Sequence, residues 1–284
     1  MAEHILISAE ELNSRLKRAA CIVFDCRFVL DDPDAGYAGY LESHIPGAVY
    51  AHLDHDLAGE ISNTSGRHPL PDTDRFALFL ARSGWQAGSL LVVYDDSGGA
   101  IAARLWWLMK YFGHDQAVLL DGGIPAWRAA GLELESGPAT PTARPAVSLE
   151  ANNDLVLSTV AVIDGLQRKE IVLADARAAD RFTGKVEPID RVAGHIPGAV
   201  NYPFNQNLKA GGTFKSAEEI HPGLHALLGD HRSQDLVHMC GSGVTACHNL
   251  FASELAGIKG SSLYVGSWSE WLRDPSRPVI STWP

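Results

Sequence analysis

The chain has 284 residues, of which 46% are hydrophobic and 20% charged, and its formal net charge is −11. The length favours two domains. The acidic balance argues against nucleic acid as a partner, because phosphate contacts need a basic face. No apolar run reaches the length of about 18 residues that a membrane span needs, so none is expected.

The N-terminal stretch Met1–His4 lacks a basic segment leading into an apolar one, so no signal peptide is expected. The four cysteines show neither disulfide nor zinc spacing. Both features favour the reducing cytoplasm.

The first half alternates apolar runs with amphipathic segments. Ser8 and Glu11 form a capping-box pattern that predicts a helix, and Cys21–Asp25 predicts a buried strand. An Asp- and Gly-rich loop is expected next, and the polar stretch 54–72 is also expected to be loop. The later predicted elements are helices at Thr73–Trp85 and Ala100–Phe112, strands at Leu90–Tyr94 and Ala117–Leu120, and a short helix through Trp127.

A proline-containing stretch without periodicity separates the halves. It predicts a linker at 135–148 between domains at 1–134 and 149–284.

The second half repeats the first. His195–Val200 reproduces His44–Val49 letter for letter, and Ile171–Asp175 answers the strand that ends at Asp25. Alternating strands and helices predict the α/β class, with a parallel sheet in each half and helices on both faces. Sites in such sheets lie at the carboxyl ends of strands.

One such end carries the stretch Cys240–Thr245. A predicted strand precedes it, and a predicted helix at Ala246–Leu255 follows. Gly241 and Gly243 allow the positive φ that a ring of inward-pointing amides needs, and a thiol there is stabilised as the attacking thiolate. A buried cysteine acting as a small hydrophobe is the alternative. The strand–glycine loop–helix context favours a nucleophile.

The repeat predicts a single reactive loop. Alignment of the two halves puts Asp95 opposite Cys240, and a carboxylate cannot carry sulfur. The first half is therefore expected to be non-catalytic.

Two halves with His-Ile-Pro-Gly-Ala in each, and one cysteine loop, resemble the tandem-domain rhodanese family. The loop Cys240–Ala246 is similar to that of 3-mercaptopyruvate sulfurtransferases, whereas thiosulfate-preferring members usually place Arg and Lys where this chain has Gly241 and Ser242. The resemblance implies two rhodanese-like domains and ping-pong transfer of sulfur through a Cys240 persulfide.

The favoured donor is 3-mercaptopyruvate, with thiosulfate:cyanide sulfur transfer as the alternative. The acceptor is expected to be thioredoxin or a small thiol, with cyanide serving in assays. The resemblance implies no cofactor and no metal. A monomer is the default expectation, because two halves are already expected to pack together.

The resemblance also assigns roles to the loop. Amides at Gly241, Gly243 and Val244 would stabilise the sulfur, and the hydroxyl of Thr245 would donate to it. Ser242 would join a Ser-His-Asp relay. His44 is the candidate histidine, although the repeated motif equally suggests that it only orients its own half. The candidate acids Asp31, Asp32 and Asp34 stay open.

The donor carboxylate needs cationic partners. Arg181 matches the first substrate arginine of the family. The second is expected in a Pro-Arg pair, but this chain has Pro188 there and the nearest candidate is Arg191. This departure leaves strict preference for 3-mercaptopyruvate open.

Two other functions use a similar loop. Cysteine phosphatases need an arginine where this chain has Ala246, so phosphate chemistry is excluded. A regulatory binding module would not need Cys240 within an intact loop.

Overall fold

The computed structural model describes residues 5–18 and 21–282, so the Met1–His4 stretch considered above lies outside it. The chain forms two compact units. The first contains the chain up to Gly59, Pro71–Asn152 and Lys209–Phe214; the second contains Glu60–Leu70, Asn153–Leu208 and the chain from Lys215 onward. The predicted domains are contiguous in sequence, whereas these units exchange two segments.

In the first unit, the strands form a parallel five-stranded sheet in the order β1-β5-β4-β2-β3. The strands are β1 Leu6–Ile7, β2 Ile22–Asp25, β3 Val49–Tyr50, β4 Leu91–Tyr94 and β5 Ala117–Leu120. The helices are α1 Ala9–Leu16, α2 Pro33–Glu42, α3 Thr73–Arg82, α4 Ala102–Tyr111 and α5 Gly123–Ala129.

In the second unit, four parallel strands follow the order β7-β6-β8-β9. They are β6 Val172–Asp175, β7 Val200–Asn201, β8 Leu236–Met239 and β9 Ser262–Leu263. The helices are α6 Thr159–Arg168, α7 Ala179–Thr183, α8 Ala217–Leu228, α9 Thr245–Leu255 and α10 Ser267–Trp271. Short 3-10 helices occupy Asn153–Leu155, Phe204–Asn207 and Ser233–Asp235.

The predicted α/β class is confirmed, and local sequence explains where several helices begin. Ser8 accepts a hydrogen bond from the Glu11 amide, and Ser216 with Glu219 forms the complete capping box of α8. Helix α2 replaces part of the loop expected after β2. Pro33 suits its first turn, and Gly36 lets it pack against the backbone, since a Cβ there would lie 2.1 Å from the Arg27 carbonyl oxygen.

A buried ion pair recurs in both units and holds the repeated motif. Asp25 binds Arg27 at 2.6 Å, and Asp175 binds Arg177 at 2.8 Å. Arg27 also donates to the Ser43 carbonyl, next to His44, and Arg177 donates to the Gly194 carbonyl. The Asp-x-Arg pair therefore fixes the entry to each His-Ile-Pro-Gly-Ala segment.

Residues 136–152 contain no helix or strand. Within the described ranges, every helix is too short or too polar to cross a lipid bilayer.

Candidate active site

The loop after β8 places Cys240 at the carboxyl end of a central strand. Cys240 is 2% exposed, and its Sγ accepts a hydrogen bond from the Gly243 amide at 3.1 Å. The loop carbonyls are bound by the first turn of α10, because Trp268 N donates to Cys240 O at 3.0 Å and Ser269 N donates to Gly241 O at 2.9 Å. The first turn of α10 thus fixes the loop carbonyls, and an amide of the loop itself binds the sulfur.

The two loop glycines are needed for different reasons. Gly243 has φ 78°, and a Cβ there would lie 2.5 Å from the Val265 carbonyl oxygen. Gly241 does not have the positive φ expected for it. A Cβ on Gly241 would instead lie 3.0 Å from Nη2 of Arg67 and 3.7 Å from both terminal nitrogens of Arg181. Glycine therefore lets two guanidinium groups approach the loop.

Ser267 supports the start of the loop and was not foreseen from the sequence. It has φ 52°, unusual for a non-glycine residue, and its hydroxyl accepts from Cys240 N at 3.1 Å while donating to Tyr264 O at 2.9 Å. No local sequence pattern marks a serine for this conformation.

Ser242 is hydrogen-bonded to His68, with 2.7 Å between the hydroxyl and Nδ1. His68 comes from Glu60–Leu70, the segment that belongs to the second unit. The structure therefore pairs Ser242 with His68, and not with His44 as expected. His44 lies in the first unit, its Nδ1 is 2.8 Å from the Tyr40 carbonyl, and its ring stacks on Tyr40.

The histidine of the second His-Ile-Pro-Gly-Ala motif makes the same kinds of contact as His44 does in the first. His195 Nδ1 lies 2.7 Å from the Phe182 carbonyl, and the ring stacks on Phe182. The structural alternative for the repeated histidine accounts for the contacts of both copies. The candidate acids Asp31, Asp32 and Asp34 lie in the first unit, as His44 does.

The cationic side of the site contains Arg181 and Arg67. Arg181 binds Glu187 at 2.7 Å and Asp190 at 3.2 Å, and Arg67 binds the other oxygen of Asp190. Arg67 Nε is buried without a hydrogen-bond partner among the described residues. Arg67 was missed because it lies in a loop far from Cys240 in sequence.

Arg191 does not take the place expected of it. Its guanidinium donates to the Leu272 carbonyl, and its side chain borders a pocket of about 220 Å³ that Arg67 and Asp190 also line. The arginine that accompanies Arg181 at Gly241 is Arg67.

Val244 and Thr245 lie where the cysteine loop passes into α9. Val244 is buried and precedes α9, which begins at Thr245. Within the described part of the chain, the hydrogen bond to Cys240 Sγ comes from Gly243 rather than from the Thr245 hydroxyl. The role of Thr245 in the reaction stays a prediction.

The corresponding loop of the first unit is filled by its own side chain. Asp95 follows β4 as Cys240 follows β8, and it is fully buried. Its carboxylate accepts four backbone amides at 2.8–2.9 Å, from Ser97, Gly99, Ile101 and Ala102. Burial raises the pKa of Asp95, and these amides oppose that rise. The amide ring that would receive a sulfur atom is occupied.

The rhodanese-like domain model matches residues 8–130 and 158–274. The chain belongs to the rhodanese-like domain family. The tandem-domain arrangement expected from the sequence is thereby confirmed, and each rhodanese-like match contains one of the two loops described above.

Proteins similar to this chain include named sulfurtransferases. A Pseudomonas aeruginosa protein described as a probable 3-mercaptopyruvate sulfurtransferase is 46% identical over 99% of both chains. The thiosulfate sulfurtransferase of Rattus norvegicus is 36% identical over 82% of this chain and 79% of its own. The structure of the 3-mercaptopyruvate sulfurtransferase from Leishmania major matches with a TM-score of 0.83 and 32% identity, over 94% of this chain and 74% of that one.

Proposed function

We propose that this sulfurtransferase moves a sulfane sulfur from 3-mercaptopyruvate, through a persulfide on Cys240, to a thiol or to cyanide. The observation that carries the proposal is the loop itself. A buried cysteine at a strand end accepts a backbone amide, and two guanidinium groups and a Ser-His pair border the same loop.

In the first half-reaction, the Cys240 thiolate attacks the donor sulfur. A sulfur–sulfur bond forms as the carbon–sulfur bond breaks, and the bonding electrons leave as the enolate of pyruvate, which takes up one proton. Arg181 and Arg67 bind the donor carboxylate, so Arg67 takes the role expected of Arg191. Ser242, hydrogen-bonded to His68, delivers the proton.

In the second half-reaction, an acceptor thiolate attacks the outer sulfur. The sulfur–sulfur bond breaks, Cys240 leaves as a thiolate and the acceptor carries the persulfide. The amides of the loop stabilise the charge on Cys240 in both states. Thioredoxin or a small thiol is the proposed acceptor in this step. The protein is proposed to act as a monomer.

A reducing cytoplasm suits this chemistry. Cys21, Cys26, Cys240 and Cys247 are all free thiols, and a persulfide carrier needs its thiol reduced between turnovers.

Thiosulfate stays the alternative donor, because two arginines beside Gly241 also suit a dianion. Its leaving group is sulfite, which needs no proton. The ratio of kcat/KM for the two donors, with cyanide as acceptor, decides between them, and we expect 3-mercaptopyruvate to have the higher value.

The test of sulfur transfer is the intact mass of the protein after incubation with each donor. We expect the wild type to gain the mass of one sulfur atom and Cys240→Ala to gain none, since Cys240 is the cysteine whose Sγ accepts a loop amide. Cys247→Ala, which changes a buried thiol of α9, is the matched control and should still gain sulfur. An unchanged wild-type mass with both donors would contradict the proposed function.

A further inference from the structure

Asp190 places a carboxylate between the two arginines that border the cysteine loop. One oxygen binds Arg67, and the other lies 3.2 Å from Nη2 of Arg181. The Asp190 side chain is 6% exposed, so water screens this carboxylate poorly. The site that we assign to an anionic donor thus already contains an anion of the chain.

The turn that carries Asp190 is fixed by its neighbour Glu187. Oε1 of Glu187 accepts the amides of Ile189 and Asp190, both at 3.1 Å, as well as Nη2 of Arg181 at 2.7 Å. Glu187 is itself 3% exposed. The carboxylate of Asp190 is therefore held at the arginines by a built turn, in the segment where the sequence departs from the expected Pro-Arg pair at Pro188.

The charges of this cluster cancel. Arg67, Arg181 and Arg177 contribute three positive charges, and Asp190, Glu187 and Asp175 contribute three negative ones. Any anionic donor must bind beside Asp190. Its repulsion from that carboxylate is proportional to the donor charge, so a dianion experiences twice the repulsion of a monoanion at the same distance.

We propose that Asp190 determines donor specificity by acting through Arg67 and Arg181, as an internal counter-ion that accepts a monoanionic carboxylate and disfavours a dianion such as thiosulfate. The inference rests on the proposed function, because it presumes that these arginines bind the donor. Asp190 is a positioning residue and takes no part in bond breaking.

Asp190→Asn tests this role, because the amide keeps the shape and one acceptor oxygen but loses the charge. Arg181 retains its three hydrogen bonds to Glu187, and the Arg67 backbone amide remains bound to the Ser269 hydroxyl at 3.0 Å. The readout is kcat/KM for thiosulfate and for 3-mercaptopyruvate, with cyanide as acceptor.

We expect a gain of about threefold for 3-mercaptopyruvate and about tenfold for thiosulfate, the square of the first factor, because the repulsion doubles with charge. The gain should appear in KM. Asp190→Glu, which restores the carboxylate, should retain the wild-type ratio. Asp180→Asn is the matched control, since Asp180 pairs with Lys185 at the surface, and it should change neither donor.

An equal change for both donors, or a loss for both in a folded Asp190→Asn protein, would overturn the inference. Asp190→Ser removes the same charge without added volume and replaces the amide variant if that one does not fold. Wild-type persulfide formation separates the two hypotheses. If Cys240 gains sulfur but the donor ratio is insensitive to Asp190, this inference alone fails; if Cys240 gains none, the proposed function fails.

Discussion

At the scale of single residues, Arg67 and Arg191 border one pocket but differ in what they face. Arg67 reaches Gly241 and is partnered by Asp190, whereas Arg191 is exposed and donates to a backbone carbonyl. A guanidinium binds a carboxylate through two parallel hydrogen bonds. Removing the guanidinium or displacing it from the carboxylate abolishes this binding. Because Arg67 lies beside Gly241, we propose that it binds the donor carboxylate together with Arg181.

We predict that Arg67→Ala raises KM for 3-mercaptopyruvate about tenfold or more, because a charge-assisted hydrogen bond to the donor is lost. Arg191→Ala is the matched control and should change KM by less than about twofold, since exposed surface substitutions have small effects. Steady-state kinetics with cyanide as acceptor measure both. Similar losses in the two variants would show that the assignment of Arg67 is wrong.

The Ser242–His68 pair provides a second prediction for individual side chains. With 3-mercaptopyruvate, the departing enolate needs a proton, whereas departing sulfite needs none. Ser242→Ala should therefore lower kcat for 3-mercaptopyruvate about 100-fold and kcat for thiosulfate by less than about threefold. Single-turnover persulfide formation with each donor measures this difference.

His68→Gln extends this test, because glutamine can hydrogen-bond Ser242 but cannot exchange a proton near neutral pH. We expect the same donor-selective loss. Equal losses with both donors would instead indicate that the pair only shapes the loop.

At the scale of secondary-structure elements, β8 differs from its counterpart β4 at two positions, and one of the two differences introduces a buried imidazole. His238 lies where β4 has Val93, and it is fully buried, with Nε2 3.2 Å from the Ser253 hydroxyl and Nδ1 unpartnered among the described residues. Burial lowers the pKa of His238 to about 3. The strand that ends at Cys240 thus contains a histidine that stays neutral in the folded state.

This histidine makes stability depend on pH. In the unfolded chain, His238 binds a proton below its ordinary pKa of about 6.5, whereas the folded state does not, so the free energy of unfolding falls as pH falls. The loss is about 1.4 kcal/mol per pH unit below about pH 6.5, and it continues towards the folded pKa.

We predict that His238→Val, which installs the residue of β4, makes the acid decline shallower by about that slope. Urea unfolding between about pH 6.5 and pH 4.5 measures it. His225→Gln, which changes an exposed histidine of α8, is the control and should leave the slope unchanged. Parallel pH profiles for wild type and His238→Val would contradict the assignment.

At the scale of the whole molecule, repetition made much of the fold predictable. The repeated His-Ile-Pro-Gly-Ala motif and the buried strand ends indicate two parallel sheets, and alignment of the two halves by sequence alone places Asp95 opposite Cys240. Helix α2 was missed because its glycines suggested a loop, whereas Gly36 serves close packing. Local patterns and internal comparison were sufficient for the scaffold.

The site residues that the sequence does not predict are positioned by contacts between residues far apart in the chain. Arg67 and His68 lie in a stretch correctly expected to be irregular, but their partners Ser269 and Ser242 follow 202 and 174 residues later. No periodicity or spacing connects positions so far apart, and a loop gives no direction to its side chains. The resemblance implies a histidine from the first half and a second arginine, but the repeated motif favours His44 and closeness in sequence to Pro188 favours Arg191.

The exchange of Glu60–Leu70 into the second unit has a consequence for synthesis on the ribosome. Chains emerge from the N-terminus, and domains generally fold as units in that order. This segment leaves the tunnel early, yet the Ser269 hydroxyl that accepts the Arg67 amide is made 202 residues later. Closing so distant a contact is slow. The nascent protein therefore carries Arg67 and His68 without these partners until translation is nearly complete, and sulfur-transfer competence arises at the end of synthesis.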